Sequence, residues 1–316
     1  MQQNEKIQQL LNELTLEEKI SMVHGCTIFQ TAPVERLEIP ALKMSDGPMG
    51  VRQEYPSDSW EPLTFSNDFV SYLPSNLAVA ASWSEEAAYK LGKTLGMEAR
   101  GRGKDVILAP GINIIRSPLG GRSFEYMSED PFLISKLVVP LIEGIQENDV
   151  AACLKHFAAN NHEHNRLSIS VDMPEQAFQE IYLPGFEAAV KKGKTLTIMS
   201  AYNRFRDEFC SENPELLKKI LREKWGFDGV VISDWGAVHN TEKAASSGLD
   251  IEMHVHANFN EHFLADNYLD EIKKGNLPES DLNEKVENIL RLMFRLKMFD
   301  SDRKQGSFNS PQARTN

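Results

Sequence analysis

The chain has 316 residues, 41% of them hydrophobic, which is enough for a large core arranged as two domains or as one barrel. Its formal net charge is -12 and its sequence pI ≈ 5.2, which disfavours a sequence-independent grip on nucleic-acid phosphates and suits a neutral or cationic partner. Cys26, Cys153 and Cys210 are too sparse for a disulfide framework or a zinc set, and read as buried free thiols of a reducing compartment.

The N-terminus is charged and amphipathic, with Ile7, Leu10, Leu11 and Leu14 at helical spacing. It lacks the basic start and apolar run of a secretory signal, and no stretch reaches the length of a membrane span. The expectation is a cytoplasmic protein with no membrane partner. From there a short apolar strand, a polar turn and an amphipathic helix repeat. The spacing predicts strands at Leu42–Ser45, Leu77–Ala81, Val106–Ala109, Ala151–Leu154, Leu196–Ser200, Val230–Ser233 and Leu249–Met253. Helices are predicted at Ser84–Arg100, Glu129–Glu147, Pro174–Lys192, Pro214–Lys224 and Asn240–Ser247, with Leu282–Lys297 closing the set. Ser84 and Ser128 precede acidic first turns, Asn213 precedes Pro214, and Gly193 and Gly226 stand where helices should stop.

Strands alternating with helices argue for a covered parallel sheet, and apolar runs such as VVIS argue for burial on both faces. No glycine fingerprint opens a helix to hold a dinucleotide, and no eighth strand is placed. The fold class is therefore α/β, a single-domain (β/α)8 TIM-like barrel, complete or else incomplete or collapsed, over residues 1–299, with an open doubly wound sheet as the alternative. The loop Glu54–Pro74 carries Tyr55, Trp60, Phe65, Phe69 and Tyr72, which pack it onto the barrel or offer a sugar platform; packing is the favoured reading. Residues 300–316 are polar and aperiodic, as a linker or disordered end would be.

Polar groups gather at the strand ends: Asp46, Lys155 with His156, Tyr202, Asp234 with Trp235, and Glu252. In a barrel these ends share one face, where active sites sit. Asp234 is a nucleophile or a carboxylate capping the next turn. Lys155 and His156 offer a cation and a neutral donor, or a buried ion pair. Arg122 and Arg166 fork onto vicinal hydroxyls or fix carboxylates; Asp46 is a ligand-binding acid or a turn residue in Asp-Gly-Pro. Met199, Tyr202 and Trp235 are core residues or pocket walls. A Schiff-base role for Lys155 ranks low, because no late phosphate-binding glycine cluster accompanies it.

SDGPMGVR, GRSFEYMSEDP, KHFAANNHEHNR, MSAYN and VVISDWG stand in that order and at spacings that resemble glycoside hydrolase family 3, from Leu14 to about Phe299. The resemblance implies a retaining, exo-acting hydrolase of terminal β-D-glucosyl residues, with a covalent intermediate on Asp234. It implies a subsite of Asp46, Arg52, Arg122, Lys155, His156, Arg166 and Tyr202, lined by Met199 and Trp235, with no metal and no organic cofactor. A β-xylosidase or β-N-acetylglucosaminidase, and a non-catalytic sugar-binding barrel, stand as alternatives. The family's β-glucosidases carry the acid/base Glu on a C-terminal α/β sandwich, into which GSFNSPQAR would lead. The chain alone is then expected to lack its acid, to self-associate or take a second chain, and to be a truncation, a fragment or one part of a split enzyme. His162, Glu163 and His164 occupy the loop where the family's N-acetylglucosaminidases place a His-Asp dyad, but without the Pro-Gly pair that opens it.

Overall fold

The computed structural model describes residues 2–54, 56–60 and 69–308. Ten strands are defined among these residues. They are β1 (Gly25–Thr27), β2 (Gln30–Thr31), β3 (Met44–Asp46), β4 (Val106–Leu108), β5 (Ala151–Phe157), β6 (Ser170–Val171), β7 (Thr197–Ser200), β8 (Arg204–Phe205), β9 (Glu208–Phe209) and β10 (Val230–Ser233). Five form an all-parallel sheet in the order β10-β7-β5-β4-β3. Their residues are almost all buried, as continuous apolar strands covered by helices must be.

The ring continues without a full strand. Ile251 bridges Ile232 in parallel, and Glu252 bridges His24 in parallel. The β1–β2 hairpin then returns to Lys43 through an antiparallel bridge at Gln30, and the Met44 amide donates to the Phe29 carbonyl at 2.8 Å. The closing element is thus a short hairpin, not an eighth parallel strand, and the barrel is an incomplete TIM-like one. The segment Leu249–Met253, expected as a strand, takes part as these isolated bridges.

Leu77–Ala81 is not a strand but lies within the helix Asn76–Ala81. Five apolar residues carry no period that separates strand from buried helix. Ser75 decides it: its hydroxyl accepts from the Ala78 amide at 3.2 Å. The helices Glu85–Gly101 and Pro131–Gln146 agree with expectation within two residues, and Ser84 caps the first. Asp130, not Ser128, caps the second, accepting from the Phe132 amide with Pro131 in the first turn. These two helices pack backbone to backbone. A Cβ on Gly92 would lie 2.1 Å from the Leu141 carbonyl oxygen, and one on Gly144 would lie 2.4 Å from that of Tyr89.

The start of the polar tail is docked. Arg303 pairs with Asp105 at 2.9 Å, the Lys304 amide donates to the Asp149 carboxylate, and the Ser307 amide donates to the Met97 carbonyl. Residues 309–316, with Tyr55 and Phe65 of the long loop, lie outside the described residues. The three cysteines are free thiols, with Cys153 and Cys210 buried and Cys26 partly so. Among the described residues no helix is long and apolar enough to cross a membrane.

Candidate active site

β3, β5, β7 and β10 point their C-terminal ends to one face. There a cavity of ≈ 390 Å³ is lined by Asp46, Arg122, Lys155, His156, Arg166, Met199, Tyr202, Asp234 and Trp235, together with Trp60 and Val255. Nine of the ten residues expected from the sequence therefore meet in one hollow. Arg52 does not line it. It stands behind, pairing with Asp46 at 3.2 Å, its guanidinium carbon 5.1 Å from the ring centres of both Phe29 and Trp60.

Asp234 realises the turn-capping reading of its position and keeps its second oxygen without a hydrogen bond. Oδ1 accepts from the Trp235 amide at 2.9 Å, a turn-capping bond, while Oδ2 is buried and makes no hydrogen bond. Oδ2 lies 3.7 Å from Nε2 of His156. The Tyr202 hydroxyl donates to the Trp235 carbonyl at 3.1 Å and stands close enough to Asp234 to favour its ionised form. Burial pushes the Asp234 carboxyl up to about 6, with Arg122 and Lys155 pulling the other way. It remains mostly ionised at neutral pH and lines the cavity.

Glu125 and Tyr126, which were not assigned from sequence, organise the cations. Glu125 is buried and bonds Lys155 at 2.9 Å and Arg122 at 2.7 and 3.1 Å. Burial raises its carboxyl, but Lys155 and Arg122 overcome this and hold it well below the usual range. It is a counter-ion and cannot carry a transferable proton near neutrality. Lys155 also faces Asp46 at 3.6 Å. Burial disfavours its charge, yet Glu125 and Asp46 keep it protonated.

The tautomer of His156 follows from its partners. Arg122 lies 2.8 Å from Nε2, and a guanidinium can only donate, so Nε2 accepts. The ring proton is then on Nδ1 and points to the Tyr126 hydroxyl oxygen at 3.2 Å. Burial, then Arg122 and Lys155, holds the imidazole well below its ordinary value, so it stays neutral. Its Nε2 is thus an acceptor on the cavity side, where the sequence suggested a donor. Asn113 fixes the peptide by accepting from the His156 amide at 2.7 Å and donating to its carbonyl at 2.9 Å.

The walls are amphipathic. The Trp235 indole donates to the Ile28 carbonyl at 2.8 Å and packs on Phe29. The Trp60 indole donates to the Val255 carbonyl at 2.7 Å with its ring partly open to solvent. Trp60 thus both packs and offers a face to the hollow, whereas Phe69 and Tyr72 are largely exposed. Arg166 pairs with Glu163 at 2.9 Å and sits over the Tyr202 ring. His162 and His164 are exposed, and neither they nor Glu163 line the cavity. The lining carboxylates among the described residues are Asp46 and Asp234.

Residues 13–292 match the glycosyl hydrolase family 3 N-terminal domain. The chain is similar to Beta-glucosidase BoGH3A of Bacteroides ovatus, 45% identical over 302 residues, covering 93% of this chain and 40% of that protein. It is 41% identical over 243 residues to an Exo-alpha-(1->6)-L-arabinopyranosidase of Bifidobacterium longum, covering 77% of this chain and 32% of that protein. The solved structure of beta-glucosidase 3B from Thermotoga neapolitana in complex with glucose superposes with a TM-score of 0.89 at 37% identity, covering 98% of this chain and 45% of that one. The chain spans less than half the length of each of these relatives.

Proposed function

The chain belongs to glycosyl hydrolase family 3, and on that premise we propose that its cavity binds one terminal β-D-glucosyl residue and cleaves it with retention through Asp234. The observation that carries the reading is Oδ2 of Asp234. It is a buried carboxylate oxygen with no hydrogen bond, on a residue that lines a hollow containing cations and hydrogen-bonding groups. Oδ2 attacks the anomeric carbon, the bond from that carbon to the aglycone oxygen breaks, and the departing oxygen takes a proton. Water then attacks the same carbon, releases the sugar and returns Asp234 to its free form.

Asp46 and Lys155 hold hydroxyls of the sugar away from the reacting carbon, and Arg122 and Arg166 donate to others. The Arg122–Glu125–Lys155 network fixes these donors before the substrate arrives, so their charge is not reorganised during reaction. Trp235, Met199 and Trp60 supply the apolar wall. Among the described residues the carboxyls lining the cavity are Asp46 and Asp234, so this reading takes the proton for the aglycone oxygen from a group other than these. Acid catalysis contributes about 10²–10⁴-fold, so the chain alone cleaves substrates with good leaving groups far better than those with poor ones. The similarity to an arabinopyranosidase makes the sugar itself part of the proposal.

The test is the anomer first released from 2,4-dinitrophenyl β-D-glucoside, followed by proton NMR. β-Glucose as first product supports the reading. α-Glucose contradicts retention. Saturable glucose binding with no release marks a sugar-binding barrel.

A further inference from the structure

We propose that His254, His256 and His262 form a binding site for a divalent transition-metal ion, with zinc as the best fit, at the rim of the sugar cavity. Their ligand atoms all lie within 4.8 Å of one another, and among the described residues this is the group that converges in this way. Three imidazoles with a fourth position open to water form a recognised zinc set.

The ring geometry supports convergence on one ion. For a tetrahedral ion with metal–nitrogen bonds of about 2.0–2.1 Å, the ring centres should stand about 5.2 Å apart. His254 and His262 are 5.2 Å apart, and His256 and His262 are 5.3 Å apart. His254 and His256 are closer, at 3.7 Å, and must open by about 1.5 Å for tetrahedral binding. His256 is exposed and sits on an irregular segment, so this movement involves no core.

His262 is the second, independent observation. Its residue is 1% exposed, yet neither ring nitrogen closes a hydrogen bond, although the His256 carbonyl weakly favours its protonated form. A buried polar ring with only that weak contact is costly, and a metal ion removes the cost. Nδ1 of His254 accepts from the Val255 amide at 2.9 Å, which puts the ring proton on Nε2, so ligation through Nε2 requires this contact to give way and the proton to move to Nδ1. His24 packs edge-on to His262, its Nδ1 donating to the Gly25 carbonyl at 2.9 Å.

The site touches the sugar cavity through one residue. Val255 lies between two of the ligands, lines the cavity and accepts the Trp60 indole hydrogen bond. A bound ion would fasten the 254–262 segment and with it this part of the rim.

The test is calorimetric titration of the chelator-treated full chain with Zn²⁺, with Co²⁺ as a spectroscopic stand-in. The wild type should bind one equivalent, and Co²⁺ should give the visible bands of four-coordinate cobalt. His256→Ala, at an exposed position, and His254→Ala should each weaken binding at least about 100-fold, the upper end of the cost of losing even an outer-shell partner. The double substitution His162→Ala and His164→Ala, on another loop, should leave it unchanged. No saturable binding by the wild type, binding indifferent to His254 and His256, or binding lost only with His162 and His164 would each overturn the proposal.

Discussion

Asp234→Asn should remove turnover and, at neutral pH, make the protein more stable. The Asp234 carboxyl is held up at about 6 against an ordinary value of 3.8 because burial disfavours its charge more than Arg122 and Lys155 favour it. That gap corresponds to about 3 kcal/mol. The sign follows from proton binding. Below 3.8 the carboxyl is protonated in folded and unfolded chains alike. Between 3.8 and about 6 the folded chain binds the extra proton, so stability falls as pH rises, and above about 6 the full cost of the buried charge is present. Asparagine is neutral throughout and carries no such cost. The difference in unfolding free energy between variant and wild type should therefore grow by about 2–3 kcal/mol in favour of the variant from about pH 4 to pH 8. Urea denaturation across that range measures it, and taking the difference cancels groups that titrate equally in both proteins. A difference that is flat or shrinks with pH would refute the reasoning, because it would mean that Asp234 is not a buried charge held at a cost.

The same ionisation sets the activity profile: kcat/KM on an activated glucoside should fall about tenfold per pH unit below about 6, as the nucleophile takes up its proton. A rate flat to pH 4.5 would contradict the assignment. Glu125→Gln strips Lys155 and Arg122 of their buried counter-ion and should cost about 3–5 kcal/mol in chemical denaturation. Gly92→Ala sets a methyl against the Leu141 carbonyl and should lower stability by about 1–3 kcal/mol without changing KM, as thermal melts and kinetics would show.

Several of the parallel strands and the residues near their ends were legible because an apolar run meets a polar group at once, VVIS before Asp234 and AACL before Lys155 within β5. A continuous apolar run bounded by chemistry is a strong local pattern. Leu77–Ala81 was misread because its helix is one and a half turns long, too short to show a period, and only the Ser75 cap betrays it. The barrel's closure was hidden because the hairpin at 25–31 has two- and three-residue strands whose pairing with Lys43 and Glu252 depends on the assembled ring. Glu125 and Tyr126 stood inside GRSFEY, but their task is to neutralise and orient residues from another strand, which no local pattern records. Arg52 is the reverse case, since its place in SDGPMGVR suggested the cavity and its partners Asp46, Phe29 and Trp60 hold it behind. The histidine cluster was equally silent: His254 and His256 alternate in sequence, but convergence with His262 requires the loop to fold back.

The central claim, that Oδ2 of Asp234 attacks the anomeric carbon, is tested most directly by incubating the chain with a 2-deoxy-2-fluoro-β-D-glucoside carrying a dinitrophenol leaving group. That leaving group needs little acid assistance, so the experiment isolates the nucleophile. Mass spectrometry of the digested protein should place a fluoroglucosyl adduct on the peptide containing Asp234, and Asp234→Asn should show none. An adduct on any other carboxylate, or one that survives in the variant, would contradict the account.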